Sequence, residues 1–177
     1  MKKLAILISA FVILLTACGE KKAEEKNISL NASQNTKKKI NKLSNNEIEI
    51  NGVKVKVLKT EFKPMGSEEF QKKPLFIIHY SVTNTTNREV RPLTEWSADF
   101  EVYQDTKDVQ KRLNHGIVMD KNYQDILQRN ADIIKKGATV QTIEPYELED
   151  DKSPVLIKAR NLSTNESLGQ IKVNIQK

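Results

Sequence analysis

From Glu47 onward the dominant period of the apolar residues is two, that of a strand with one buried face, which points the chain toward β architectures. Ile48 and Ile50 alternate with Glu47 and Glu49; after Asn51-Gly52, Val53, Val55 and Val57 alternate with Lys54 and Lys56. Asn and Gly both tolerate positive φ, so this dipeptide between two alternating runs predicts a two-residue hairpin. Such a turn puts Ile50 opposite Val53 and Ile48 opposite Val55, all on one face. Glu47 and Glu49 then oppose Lys54 and Lys56 on the other face, where unlike charges pair across strands. A single extended strand with a bulge at Asn51-Gly52 is the competing arrangement.

The run Pro74–Asn84 begins apolar on both faces, with Phe76, Ile78, Tyr80 and Val82 on one side and Leu75, Ile77, His79 and Ser81 on the other, which marks a central strand. Asn84-Thr85-Thr86-Asn87 ends it with turn chemistry. Trp96–Tyr103 alternates as a strand with Trp96, Ala98, Phe100 and Val102 inward. Later strands are expected at Thr139–Tyr146, Val155–Arg160 and Gln170–Gln176. Between them Leu113–Gly137 is irregular; Met119, Tyr123, Ile126 and Leu127 recur at helical spacing, enough for a turn or two of helix, and Lys136-Gly137 reads as a tight turn. About seven short strands separated by turn signals predict an all-β fold, an antiparallel β-sandwich of immunoglobulin-like type, with a closed barrel as the alternative.

The N-terminus is of another kind. Lys2 and Lys3 lead an apolar run, Leu4 to Leu15, that closes in Thr16-Ala17-Cys18-Gly19, the layout of a secretory signal. Twelve helical residues cover about 18 Å, short of a hydrocarbon core of about 30 Å, so a transmembrane helix does not fit. Leu15-Thr16-Ala17-Cys18 resembles the lipobox of bacterial lipoproteins. That resemblance implies cleavage between Ala17 and Cys18, and a diacylglyceryl thioether on Cys18. It implies in turn a protein held at the extracytoplasmic face of the bacterial cell membrane. Cys18 is the one cysteine, so no disulfide is available and the fold must stand on its core.

Cleavage would leave a tether at residues 18–45 and a folded domain at residues 46–177. Gly19–Asn45 is rich in Lys, Glu, Asn and Ser and has no aromatic residue, a composition that cannot offset its ordering entropy. Its excess of seven lysines over three glutamates, with Lys2 and Lys3, accounts for the whole formal charge of +6; from Glu47 on, twenty basic residues balance twenty acidic ones. A nucleic-acid partner is therefore not expected, despite the basic pI. Lys37, Lys38, Lys39 and Lys42 are candidates for attraction to anionic lipid or wall polymer, at about 1 kcal/mol per charge near a surface. A solvated spacer is the alternative.

The string Pro74-Leu75-Phe76-Ile77-Ile78-His79-Tyr80-Ser81-Val82-Thr83-Asn84-Thr85-Thr86-Asn87 resembles a segment of an uncharacterised immunoglobulin-like, or telokin-like, lipoprotein domain of Gram-positive bacteria. Phe100–Asp105, Ile134–Val140 and Tyr146-Glu147-Leu148 agree with it, so the resemblance runs from about Glu47 to Lys177. It implies a fold and carries no activity. The chain departs from the pattern at Asp105-Thr106-Lys107, where a glycine-containing turn is expected.

No catalytic, cofactor or metal site is expected. His79 and His115 stand far apart in sequence without the Cys or His neighbours that a zinc site needs. No Gly-x-Ser-x-Gly elbow and no glycine-rich phosphate loop occur. Glu147, Glu149, Asp150 and Asp151 form the densest acidic cluster, yet Asp150-Asp151-Lys152-Ser153-Pro154 is turn chemistry in its own right. These readings favour a non-enzymatic surface module with an unknown protein partner. A solute-binding or transport-accessory lipoprotein is the alternative, and an envelope enzyme has no constellation to support it. Long loops on rigid sandwiches carry binding function, which singles out Met119, Tyr123 and Leu127 as a candidate partner surface; a cap over one end of the sandwich is the competing role for the same residues.

Overall fold

The computed structural model describes residues 40–67 and 69–176 of the chain. In chain order the strands are β1 (Ile40–Ser44), β2 (Glu47–Ile50), β3 (Val53–Lys63), β4 (Leu75–Asn84), β5 (Phe100–Asp105), β6 (Gln110–Arg112), β7 (Thr139–Glu147), β8 (Val155–Asn161) and β9 (Glu166–Val173). Helix α1 (Pro92–Asp99) leads into β5; helix α2 (Lys121–Gln128), continued by a 3₁₀ turn at Arg129–Ala131, lies between β6 and β7. Strands β1-β2-β3-β4-β7 form one sheet and β6-β5-β8-β9 the other, and all pairings are antiparallel. One apolar core joins them: Val55, Phe76, Ile78 and Tyr80 from the first sheet meet Phe100, Val102, Ile157 and Leu168 from the second. The fold is the expected antiparallel β-sandwich.

The hairpin at Asn51-Gly52 forms in the expected register, with Ile50 opposite Val53 and Glu49 opposite Lys54. Asn51 and Gly52 both hold positive φ (53° and 82°), the backbone that matches the twist of the flanking strands. Between β5 and β6 no glycine is needed. The Thr106 N–H and hydroxyl both donate to Val109 O, at 3.0 and 2.8 Å, and close a four-residue turn.

Two expectations are corrected, and one strand runs beyond its visible alternation. The sheet starts at Ile40, inside the segment read as tether, because Asn45 and Asn46 (φ 50° and 60°) form a second two-residue turn and fold β1 back on β2. Leu43 of β1 packs against the core beside Gly169 of β9, where a Cβ would come within 3.0 Å of it. Strand β3 runs to Lys63, since a bulge near Leu58 shifts the alternation by one residue and hides its second half from a strict period of two. Trp96–Asp99 is helical and only Phe100–Asp105 is strand. Pro92 opens α1 at its first turn, and the buried positions Pro92, Glu95, Trp96 and Asp99 follow helical spacing. Trp96 stacks on Phe100 at 4.6 Å, so the two aromatics share the core across the helix–strand junction.

The second face of β4 is buried as well. Leu75 and Ile77, with Ile143 of β7 and Val118, form a smaller apolar cluster outside the sheet, and Tyr123, Ile126 and Leu127 of α2 cover it. The central-strand reading of β4 and the helical reading of α2 are thus parts of one feature.

Candidate functional site

The strand ends at Lys63, Leu75 and Glu147 lie together in the β3–β4–β7 ladder, and two loops stand over them. The β3–β4 loop is wound tightly at its start. Ser67 donates to Pro64 O through its N–H and hydroxyl, and the Gln71 amide donates to Pro64 O and Lys73 O. Phe70 then adopts φ 63°, a left-handed backbone that costs a non-glycine residue about 1–3 kcal/mol, and its ring is 82% exposed.

The second loop is stitched to the end of β7: the Gly116 N–H donates to Pro145 O and the Glu147 N–H to Asn114 O. A Cβ at Gly116 would lie 2.7 Å from Leu75 Cδ2 and 3.3 Å from the Tyr146 backbone, so a larger residue here would make Leu75 shift. The extended chain that follows turns Val118 into the outer apolar cluster and leaves Ile117 and Met119 outside, 75% and 56% exposed. Gln124 donates to Val118 O and Asp120 caps α2 by accepting from Asn122 N–H, which fixes the loop to the helix. Phe70, Ile117, Met119 and Leu75 line an open cleft of about 280 Å³, rimmed by Lys72, Lys73, Glu69 and Glu147.

The three residues singled out from the sequence are split by this arrangement. Met119 lines the cleft. Tyr123 and Leu127 face the sheet, packed on Leu75, Ile77 and Ile143. The Tyr123 hydroxyl donates to Glu61, which also accepts from Lys59, while His79 Nε2 lies 3.1 Å from the same carboxylate. Burial opposes the Glu61 charge, but the hydrogen bonds from Lys59 and Tyr123 outweigh it and hold the carboxyl at about 2. Burial and the Glu61 bond push Tyr123 up to about 12, and burial pushes His79 down despite its carboxylate neighbour. The trio locks α2 to β3 and presents no basic group to the cleft. Phe70 was missed in the sequence, where it sits among charged and amide side chains; a lone aromatic in a polar loop was its one signal.

Other polar clusters serve the fold. His115 Nδ1 is 2.6 Å from Glu144 Oε1, and Asn130 joins Glu144 to the Tyr80 hydroxyl. Burial raises the proton affinity of Glu144 against the pull of His115. Ser97 and Arg112 line the same recess of about 40 Å³ as His115, and neither hydrogen-bonds its imidazole. In the acidic cluster, Asp150 accepts from Lys152 N–H and from the Ser153 N–H and hydroxyl. The buried Gln104 side chain donates to Asp150 O and Ser153 O and accepts from Glu149 N–H. Glu149 bridges Lys73 and Lys111, bonds that keep its carboxyl below the ordinary range. Among the described residues no group of three or more His, Cys, Asp or Glu is placed to hold a metal ion. Ala17, Cys18, Lys37, Lys38 and Lys39 lie outside the described residues, and Lys42 is exposed on β1.

The chain is similar in fold to two solved structures. One is described as a candidate lipoprotein from Staphylococcus aureus subsp. aureus NCTC 8325: 22% identity, TM-score 0.69, covering 79% of this chain and 94% of that one. The other is an NMR structure of a protein from Enterococcus faecalis: 25% identity, TM-score 0.61, covering 77% of this chain and 94% of that one. No curated protein matches. The profile of DUF5067, described as a domain of unknown function, matches residues 28–161, well over half of the sequence, and the chain belongs to that family.

Proposed function

We propose that this protein is a lipid-anchored lipoprotein of the extracytoplasmic membrane face. Its immunoglobulin-like sandwich serves as a non-enzymatic docking module for a protein partner. The anchor rests on Leu15-Thr16-Ala17-Cys18 and on the description of the staphylococcal neighbour as a candidate lipoprotein. The docking surface is the cleft between the β3–β4 loop and the loop before α2.

One observation carries this reading: Phe70, Ile117 and Met119 stand exposed around a single open cleft, on loops that hydrogen bonds and a glycine contact hold in place. Large apolar side chains gathered at one spot, rimmed by charge, mark contact surfaces, whereas scattered ones carry no such meaning.

The reading is tested by crosslinking in intact cells with the wild type and a Phe70→Ser/Ile117→Ser double variant. Loss of the captured partner, with the urea midpoint of the purified variant unchanged, is the expected outcome. Equal capture by both proteins would remove the cleft as the docking surface.

A further inference from the structure

The five-stranded sheet has an edge that is complemented along only part of its length. β2 pairs with β3 from Val53 to Lys56, and just above that the Val57 N–H donates to Asn46 O at 2.9 Å. β3 then continues to Lys63 with β4 on its other side. Among the described residues no strand lies against Leu58–Phe62 on the side away from β4. Alternate residues of a strand turn their N–H and C=O groups to opposite sides, so this stretch presents a short row of backbone donors and acceptors outward.

The seam between the sheets is open at the same place. Lower down it is shut by Leu43 against Gly169. Beside Leu58–Phe62 it widens into a groove of about 340 Å³ with mixed polar and apolar walls, formed by Phe76 and residues 60–62 on one side and by residues 172–176 on the other. Phe62, Val173 and Ile175 pack on the core and stay partly exposed, core residues short of a covering layer.

The geometry points to a strand-addition site: an extended segment of a partner protein, about six residues long, lies against Leu58–Phe62 in line with β2 and completes the sheet. A polypeptide backbone is the ligand that supplies donors and acceptors at the strand repeat. Every second side chain of that segment enters the groove over Phe62 and Ile175 and is apolar. The other set faces away from the core on the side of Lys59 and Glu61, which already pair with each other, so polar residues suit those positions. A second copy of this chain would supply the same kind of backbone, and it is told apart by protection of Leu58–Phe62 before any peptide is added. The bulge near Leu58 gives the site its lower end, since it breaks the register that a longer added strand would need. This site is separate from the Phe70 cleft and does not depend on it.

The test selects random linear peptides, displayed as a library, on the full chain in detergent. Enriched peptides should alternate apolar with polar residues and slow amide hydrogen exchange at Leu58–Phe62. Phe62→Glu or Ile175→Arg should weaken them by about tenfold or more, and Phe70→Ser should leave them unchanged. N-methylation of alternate amides along one edge of the peptide should abolish binding, while methylation along the other edge spares it. If Phe62→Glu unfolds, Ile175→Arg, beyond the end of β9, carries the same test. Absence of enrichment, protection mapping elsewhere, indifference to N-methylation, or protection of Leu58–Phe62 before any peptide is added would each overturn the assignment.

Discussion

Asp99 shows what burial does to a single group. It is 5% exposed in the last turn of α1, four residues after Glu95, whose carboxylate receives two hydrogen bonds of 2.9 Å from Arg88. Burial, and then the Glu95 charge, push the Asp99 carboxyl up to about 7, with Arg88 pulling the other way. The unfolded chain releases that proton near the ordinary 3.8. Between these values the folded chain holds one more proton than the unfolded chain. The stability tied to Asp99 is therefore complete below about pH 4 and is lost as pH rises to about 7. Glu61 runs the other way: held at about 2, it stabilises above its ordinary 4.5 and loses that contribution only as pH falls toward 2. Asp99→Asn stays neutral throughout, so its advantage over wild type in urea unfolding should be larger at about pH 8 than at about pH 5, by about 1–3 kcal/mol. An equal difference at the two pH values would show that Asp99 is ionised across the range.

Among the elements, those with an unbroken period were legible in the sequence and those with a local irregularity were not. β2, β4, β7 and β8 carry no extra residue, and the structure places them close to where the apolar runs predict. β3 hid half its length behind one extra residue near Leu58, and β1 hid behind a turn, Asn45-Asn46, that lacks the glycine of the usual signal. α1 was hidden because two of its buried positions are the acids Glu95 and Asp99, so no apolar helical stripe exists to be read. Its aromatic still reaches the core: Trp96 sits 4.5 Å from Tyr80 and 4.6 Å from Phe100, and its indole donates to the Tyr146 hydroxyl. Phe100, 3% exposed at the α1–β5 junction, ties helix to sheet. Phe100→Ala should destabilise by about 3–5 kcal/mol in urea unfolding, the range for a buried phenylalanine that leaves a cavity. A loss below about 1 kcal/mol would mean that the junction collapses into the space.

At the scale of the whole molecule, the candidate site was legible only in part, because it is made by the meeting of two loops distant in sequence. Helical spacing picked out Met119, Tyr123 and Leu127, yet spacing reports which residues share a helix face, and here that face is the one laid on the sheet. The exposed members, Phe70 and Ile117, come from segments without a period, and only the strand register brings them together. The domain boundary was displaced for a similar reason. Polar composition marked residues 18–45 as tether, but composition does not reveal that Leu43 fills the space left by a glycine on β9. With β1 in place, β2 is an interior strand; without it, β2 becomes the sheet edge and the core loses Leu43 beside Gly169. Limited proteolysis of the full chain should therefore leave a resistant fragment that begins no later than Ile40, identified by its N-terminal sequence. A stable fragment beginning at Glu47 would show that β1 contributes little to the sandwich and that the boundary belongs after the Asn45-Asn46 turn.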